Sequence, residues 1–297
     1  MERRNKIDLL GGCLLLLFSA LLGLNQVLVK LVNVGLDPVF QAGLRSLCAF
    51  LPVLLFALYK RRHLSLVDGS WWPGVAIGIL FGVEFIMLFT ALDYTSVARA
   101  SLFFYTMPFW LALGAHFWLP DERLNGMRIA GLLLAFAGVV IALSSGSFDL
   151  DPRAMTGDLL CLVAATFWAA IALLTRMTML SRSSPEMQLL YQLGISAPLL
   201  LAVAVLNGDV VREPTPLIWG IFTFQVLVVV AAGFLTWFWI LSLYPASDMA
   251  VYSFLAPVFG VFFGWLILDE YVGLHLLLSL LLVALGIVLV NRRPSPA

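Results

Sequence analysis

Residues 105–122 read YTMPFWLALGAHFWLPDE, and residues 253–270 read SFLAPVFGVFFGWLILDE. Each is an apolar run with a proline near its start and Asp-Glu at its end. The correspondence extends outward from these two runs. Pro52 matches Pro198, Pro108 matches Pro257, Asp121-Glu122 matches Asp269-Glu270 and Gly138 matches Gly286, always 146 to 149 residues later. Five apolar stretches are therefore written twice. Five membrane crossings leave the chain on the side opposite its start, so the second copy is expected to be inverted relative to the first. Inverted repeats are the usual plan of secondary transporters, in which one half rocks against the other around a shared central site.

Composition points to lipid as the solvent. Hydrophobic residues make up 62% of the 297 residues and charged residues 11%, with a mean hydropathy of +1.02. A soluble domain carries about 25% charged residues and roughly 45–50% apolar ones. The formal charge of zero gives no basis for a nucleic-acid partner. Cys13, Cys48 and Cys161 sit in apolar runs without metal-ligand spacing and read as small core residues. Arg3, Arg4 and Lys6 followed by an apolar run look superficially like a signal peptide. The run continues to about Val32, too long for a signal h-region, and reads as a retained first membrane helix.

A membrane helix needs about 20 mostly apolar residues. Ten such spans are expected, at 9–32, 38–59, 71–92, 97–119, 126–145, 156–177, 186–207, 217–239, 249–268 and 272–290. The fold class is thus an all-α membrane protein, two inverted five-helix repeats around a central cavity. Twelve Lys and Arg fall on the side of the N-terminus and four (Lys30, Arg99, Arg153 and Arg212) on the other. By the positive-inside rule both termini are expected in the cytoplasm, in an inner (plasma) membrane. Thr95-Ser96 and Ser247-Asp248 are placed to cap the fourth and ninth helices. Trp71, Trp72, Trp118, Trp219 and Trp237, near span ends, read as an interfacial belt.

The fourth and fifth spans carry Ala100-Ser101-Leu102, Pro108, Asp121-Glu122, Ala130-Gly131 and Gly138-Val139-Val140. This pattern resembles an EamA domain. The second copy runs from Ala250 through Pro257 and Asp269-Glu270 to Gly286-Ile287-Val288. Two such domains, residues 1–148 and 149–297, resemble the drug/metabolite transporter superfamily, and the resemblance covers nearly the whole chain. Trp168-Ala169-Ala170 is similar to the corresponding stretch of YddG-type amino-acid exporters. The resemblance implies helices surrounding a cavity near the bilayer midplane. It assigns the two acidic pairs no role.

Charge inside lipid costs about 2.5–3.5 kcal/mol on insertion scales, so an intramembrane ion is a functional candidate. Arg45 in the second span and Glu84 in the third are the two clear cases. At about 1.5 Å per residue, each lies roughly 4–5 Å to the outer side of its helix midpoint. If they face each other they form a buried pair. Such a pair either locks two helices together, or opens to engage the ammonium and carboxylate of a zwitterion or to exchange a proton. The second repeat has no such pair: Tyr191 and Gln192 stand near the counterpart of Arg45, and Ala231 near that of Glu84. Tyr105, Trp168 and Gln225 reach similar depth, with Asn25 and Gln26 somewhat further out. A few placed polar groups among aromatics suit an amphipathic solute. For each aromatic, packing against lipid or a neighbouring helix is the competing reading. Pro52, Pro108, Pro198 and Pro257 are candidate kinks or hinges.

The expected function is a secondary transporter moving amino acids or similar small metabolites by alternating access, read as an exporter. A drug or organic-cation extruder is an alternative, since Glu84 suits a cation. A nucleotide-sugar or organic-phosphate carrier would call for several buried basic residues. An intramembrane enzyme would need a nucleophile with a base, or paired metal ligands. The sequence offers neither, and no cofactor or metal is implied: His63, His116 and His275 are scattered. The expected partners are the small-molecule solute and the lipid bilayer.

Overall fold

The computed structural model describes residues 9–62, 64, 69–119, 126–144, 151–208, 210–233, 236, 240 and 255–291. Among these the chain is helical: α1 Leu9–Asn33, α2 Pro38–Tyr59, α3 Trp71–Tyr94, α4 Val97–Phe104, α5 Met107–Trp118, α6 Gly126–Ser144, α7 Pro152–Met177, α8 Pro185–Asn207, α9 Pro216–Phe224, α10 Leu255–Leu268 and α11 Leu274–Asn291. A 3-10 turn spans Met179–Arg182, and a π-helical stretch, Gln225–Ala232, continues α9. Five helices (α1, α2, α3, α7 and α8) are long and apolar enough to cross a membrane, and shorter apolar helices accompany them.

Four of the helices start on the same chemical device. Asp37, Asp151, Ser184 and Thr215 each precede a proline, and each side chain accepts a hydrogen bond from an amide of the first turn. The proline needs no amide partner there and already holds the helical φ, while the capping oxygen satisfies a donor that lipid cannot. Ser96 caps α4 in the same way, accepting from the Arg99 amide at 3.1 Å. The other expected cap, Ser247-Asp248, lies outside the described residues.

The structure departs from the expected spans in two places. The fourth span is broken into α4 and α5 at Tyr105-Thr106, just ahead of Pro108. Pro108 lacks an N–H and its ring crowds the preceding turn, so the regular ladder stops. The Thr106 amide closes a tighter turn onto Phe103 O at 3.2 Å instead. In the eighth span the helix loosens to π geometry from Gln225 onward. Pro52 and Pro198 lie inside unbroken helices. Pro257 is in the first turn of α10, and residues 251–254 before it lie outside the described set.

Packing pairs helices with their sequence counterparts: α2 lies on α8, α6 on α11 and α4 on α10. The contact of α1 with α10 is matched by that of α7 with α4 and α5. Gly138 and Gly286 are the close-approach points of the α6–α11 pair. A Cβ on Gly138 would lie 2.8 Å from Ser279 O, and one on Gly286 would lie 2.5 Å from Gly131 O. Small residues permit such backbone approach where lipid provides no hydrophobic drive between helices.

Apart from Arg45 and Glu84, the ion pairs among the described residues gather at the two ends of the bundle. At the end reached by the C-terminus of α1, buried Arg99 grips buried Asp158 through Nε, 3.1 Å from both carboxylate oxygens, and through Nη2. Thr95 Oγ1 donates to the same carboxylate at 2.8 Å. In the adjoining loop Arg212 donates to Asp93 at 2.8 Å. That hydrogen bond pushes the Arg212 guanidinium above its ordinary range. At the opposite end Arg62 donates to Glu186 at 2.9 Å, and the hydroxyls of Ser70 and Tyr191 meet at 3.0 Å. Trp71, Trp72, Trp118 and Trp219 are exposed near helix ends, and Trp237 lies outside the described residues.

Candidate functional site

Helix α2 turns Gln41 and Arg45, one helical turn apart, onto its buried face. The Arg45 guanidinium lies over two rings of α3, 4.9 Å from the centre of Phe85 and 4.7 Å from that of Phe89. Both distances suit cation–π attraction, which strengthens away from water. Glu84 precedes Phe85 on α3 and is 3% exposed. It is close enough to act on Arg45 electrostatically. The two do not, however, form a direct ion pair among the described residues. Glu84 Oε2 is buried without a hydrogen-bond partner. The aromatic rings hold the cation and leave the carboxylate uncommitted.

Next to Arg45, Gln41 Nε2 donates to Gln225 Oε1 at 3.2 Å. Both glutamines are fully buried. One bond between two amides leaves Gln41 Oε1 and Gln225 Nε2 unpaired, one acceptor and one donor. Gln225 opens the π-helical stretch, a rare geometry that is frequent at functional sites.

A second group surrounds the break between α4 and α5. Trp168 of α7 stacks on Phe104, with ring centres 4.9 Å apart and planes at 16°, and Tyr105 meets Trp168 edge-on at 6.0 Å. Tyr105 caps α4, its amide still bonded to Ser101 O at 3.2 Å, so the ring that meets Trp168 stands at the break. Gln26 of α1 faces the Tyr105 hydroxyl and accepts from Ser101 Oγ at 2.7 Å. Asn25 lies beside it in sequence, with Oδ1 buried and unpartnered. Phe85, Tyr105 and Trp168 all pack on one apolar cluster that contains Phe89, Phe103 and Phe104.

The structure thus brings Arg45 to the level of Glu84, Gln225 to Arg45's neighbour Gln41, and Tyr105 to Trp168. Asn25 stands at the edge of the second group. Gln41 was not singled out from sequence, although its spacing of four residues from Arg45 puts both on one helix face. Asp121-Glu122 lies outside the described residues. Among the described residues no cluster of His, Cys, Asp or Glu has the arrangement of a metal site.

Comparison with known proteins agrees with this architecture. A solved crystal structure, 22% identical in sequence, superposes with a TM-score of 0.67 and covers 93% of this chain and 94% of its own. A protein of Escherichia coli K12 described as a probable amino-acid metabolite efflux pump is 29% identical over 283 residues, 92% of each chain. The aromatic amino acid exporter YddG of Ancylobacter novellus is 34% identical over 116 residues, 38% of this chain and 40% of its own. The profile of the EamA-like transporter family matches twice, over residues 9–144 and 155–292. With both halves matched and a helical membrane fold between them, this chain belongs to the EamA-like transporter family.

Proposed function

We propose that this transporter exports amino acids or similar small zwitterionic metabolites, by alternating access of halves 1–148 and 149–297 inverted about the membrane plane. Both termini lie in the cytoplasm in this reading, so the end holding Lys30, Thr95 and Glu270 is the outer one. The observation that carries the substrate class is the separation of Arg45 from Glu84. Two opposite charges at one level, coupled but not spent on each other, offer one site for a carboxylate and one for an ammonium. A rigid zwitterion bridges them without leaving a charge unpaired in a low-dielectric interior. Gln41 Oε1 and Gln225 Nε2 add an acceptor and a donor at the rim. The Phe104–Trp168–Tyr105 wall supplies apolar surface for the solute's side chain. The description of the Escherichia coli relative as a probable amino-acid metabolite efflux pump supports the same class.

Counterflow in proteoliposomes loaded with a panel of amino acids, nucleotide sugars and quaternary ammonium ions tests this reading. Amino acids are expected to exchange and the other two classes to stay out. Exchange of quaternary ammonium ions without amino acids would replace the zwitterion by a cation at Glu84.

A further inference from the structure

The acidic dipeptide that ends α10 has no place in the central site, yet the fold spends several contacts on it. Asp269 takes a left-handed backbone, φ 52°, which Asp tolerates better than most residues. That turn stops α10 and brings the next residue back along it, so that the Glu270 amide bonds Gly264 O at 3.2 Å. The Glu270 carboxylate then reaches across to the first turn of α4. Oε1 accepts from the Val97 amide at 2.7 Å and Oε2 from the Ala98 amide at 3.0 Å. Two amides that lipid would leave unsatisfied are thereby capped by a full negative charge, at the positive end of the helix dipole.

Lys30, from the last turn of α1, completes the arrangement. Its Nζ is 3.5 Å from Glu270 Oε1 and donates to Thr95 O, at the α3–α4 junction. Gly264 makes room for the carboxylate: a Cβ there would lie 2.7 Å from Glu270 Oε2. Three separate elements, α1, α4 and the end of α10, meet on one carboxylate. Ser101, one turn further along α4, is buried against Gly260 and Gln26 directly beneath it.

We propose that Glu270, positioned by Asp269 and Gly264 and paired with Lys30, is the latch that holds this end of the solute path shut. It rests on the alternating-access reading above, and under the cytoplasmic placement of the termini it is the outer latch. Any opening that parts α10 from α4 and α1 must pull the carboxylate off two amides and an ammonium together. Those bonds are charge-assisted and largely shielded from water, with the Glu270 side chain 9% exposed and that of Lys30 30%, so they bias the equilibrium strongly while they last. Each passage of solute through this end requires their release and re-formation.

The test uses the full chain with Cys13, Cys48 and Cys161 replaced by Ala and a reporter Ser101→Cys beneath the latch. A membrane-impermeant methanethiosulfonate is applied from each face in turn, with no solute present. Glu270→Gln, Lys30→Met and Gly264→Ala are each expected to raise the labelling rate by about tenfold from the Glu270 face, the shift expected on losing charge-assisted bonds that hold one of two states. Arg62→Gln, which breaks the tie at the opposite end, is expected not to raise that rate, because alternating access couples opening there to closure here. Size-exclusion profiles report folding. Should Glu270→Gln not fold, Lys30→Met, which keeps the amide caps, and Gly264→Ala decide. Unchanged labelling in folded variants, or an equal rise in Arg62→Gln, overturns the latch. Because the labelling needs no transported solute, failure of the amino-acid reading would show only in counterflow.

Discussion

Helix α3 and the α9–π segment are the third spans of the two sequence copies, yet they are held differently. Helix α3 is one unbroken helix wedged along both α7 and α8. Its glycine stripe sets the contact with α8: Cβ atoms on Gly74, Gly78 and Gly82 would fall 2.6 Å from the Tyr191 ring, 2.5 Å from Ile195 Cβ and 2.9 Å from Leu199 Cδ2. The α9–π segment touches α1 and α2 more lightly, and a Cβ on Gly220 would meet nothing within 4 Å. Glu84 sits on the clamped helix, and Ala231 stands at its counterpart on the loose one. The buried charge is thus placed where packing fixes its position, while the loosely held copy carries a neutral amide, Gln225, at a geometric irregularity.

The largest effect is expected at the charge itself. Glu84→Gln keeps the side chain's size and should lower amino-acid counterflow tenfold or more, about 1.4 kcal/mol or above in the transport barrier. Adding Ala231→Glu should not restore it, because Tyr191 and Gln192 stand where a second Arg45 would be needed. Recovery in the double variant would show that the two third spans are interchangeable.

Gly78→Ala should come next. The added methyl meets Ile195 and the Tyr191 carbonyl of α8, and overpacking of this kind costs about 1–3 kcal/mol. A thermal melt in detergent should fall, and an unchanged melt would mean α3 is not clamped.

Gln225→Leu leaves Gln41 Nε2 buried and unpaired, a loss of about 1 kcal/mol or somewhat more. Its melt should fall less than that of Gly78→Ala, with counterflow affinity falling alongside if the leftover amide donor meets solute. Gly220→Ala is expected to do least, raising stability by at most about 0.5–1 kcal/mol through the better helix propensity of Ala. A destabilised Gly220→Ala protein would reveal a close neighbour for α9 and erase the contrast with α3.

Much of this was legible in the sequence. Pro108 announced a disturbance of the fourth span, and the structure places the break two residues ahead of it. Ser96 was readable as a cap because a hydroxyl before an apolar run has few other uses. Arg45 and Glu84 were visible since charge in lipid is rare. Their relation was less so: depth follows from residue counting, but contact depends on rotation about two helix axes. The same is true of Gln41 and Gln225, which are far apart in sequence. Trp168 was legible as a candidate by its depth and by resemblance, but its stacking on Phe104 required the position of α7 against α4.

By itself the sequence determined the lipid setting, where the apolar helices run, the twofold repetition and which residues carry charge at depth. These are properties of composition and order, because a helix in lipid must satisfy its own backbone wherever it lies. Only the tertiary structure decided that phenyl rings rather than Glu84 receive the Arg45 guanidinium, and that Glu270 serves the amides of a helix from the other half. Helices apolar on every side give no signal of which face turns inward, so these partners emerge only once the helices are packed.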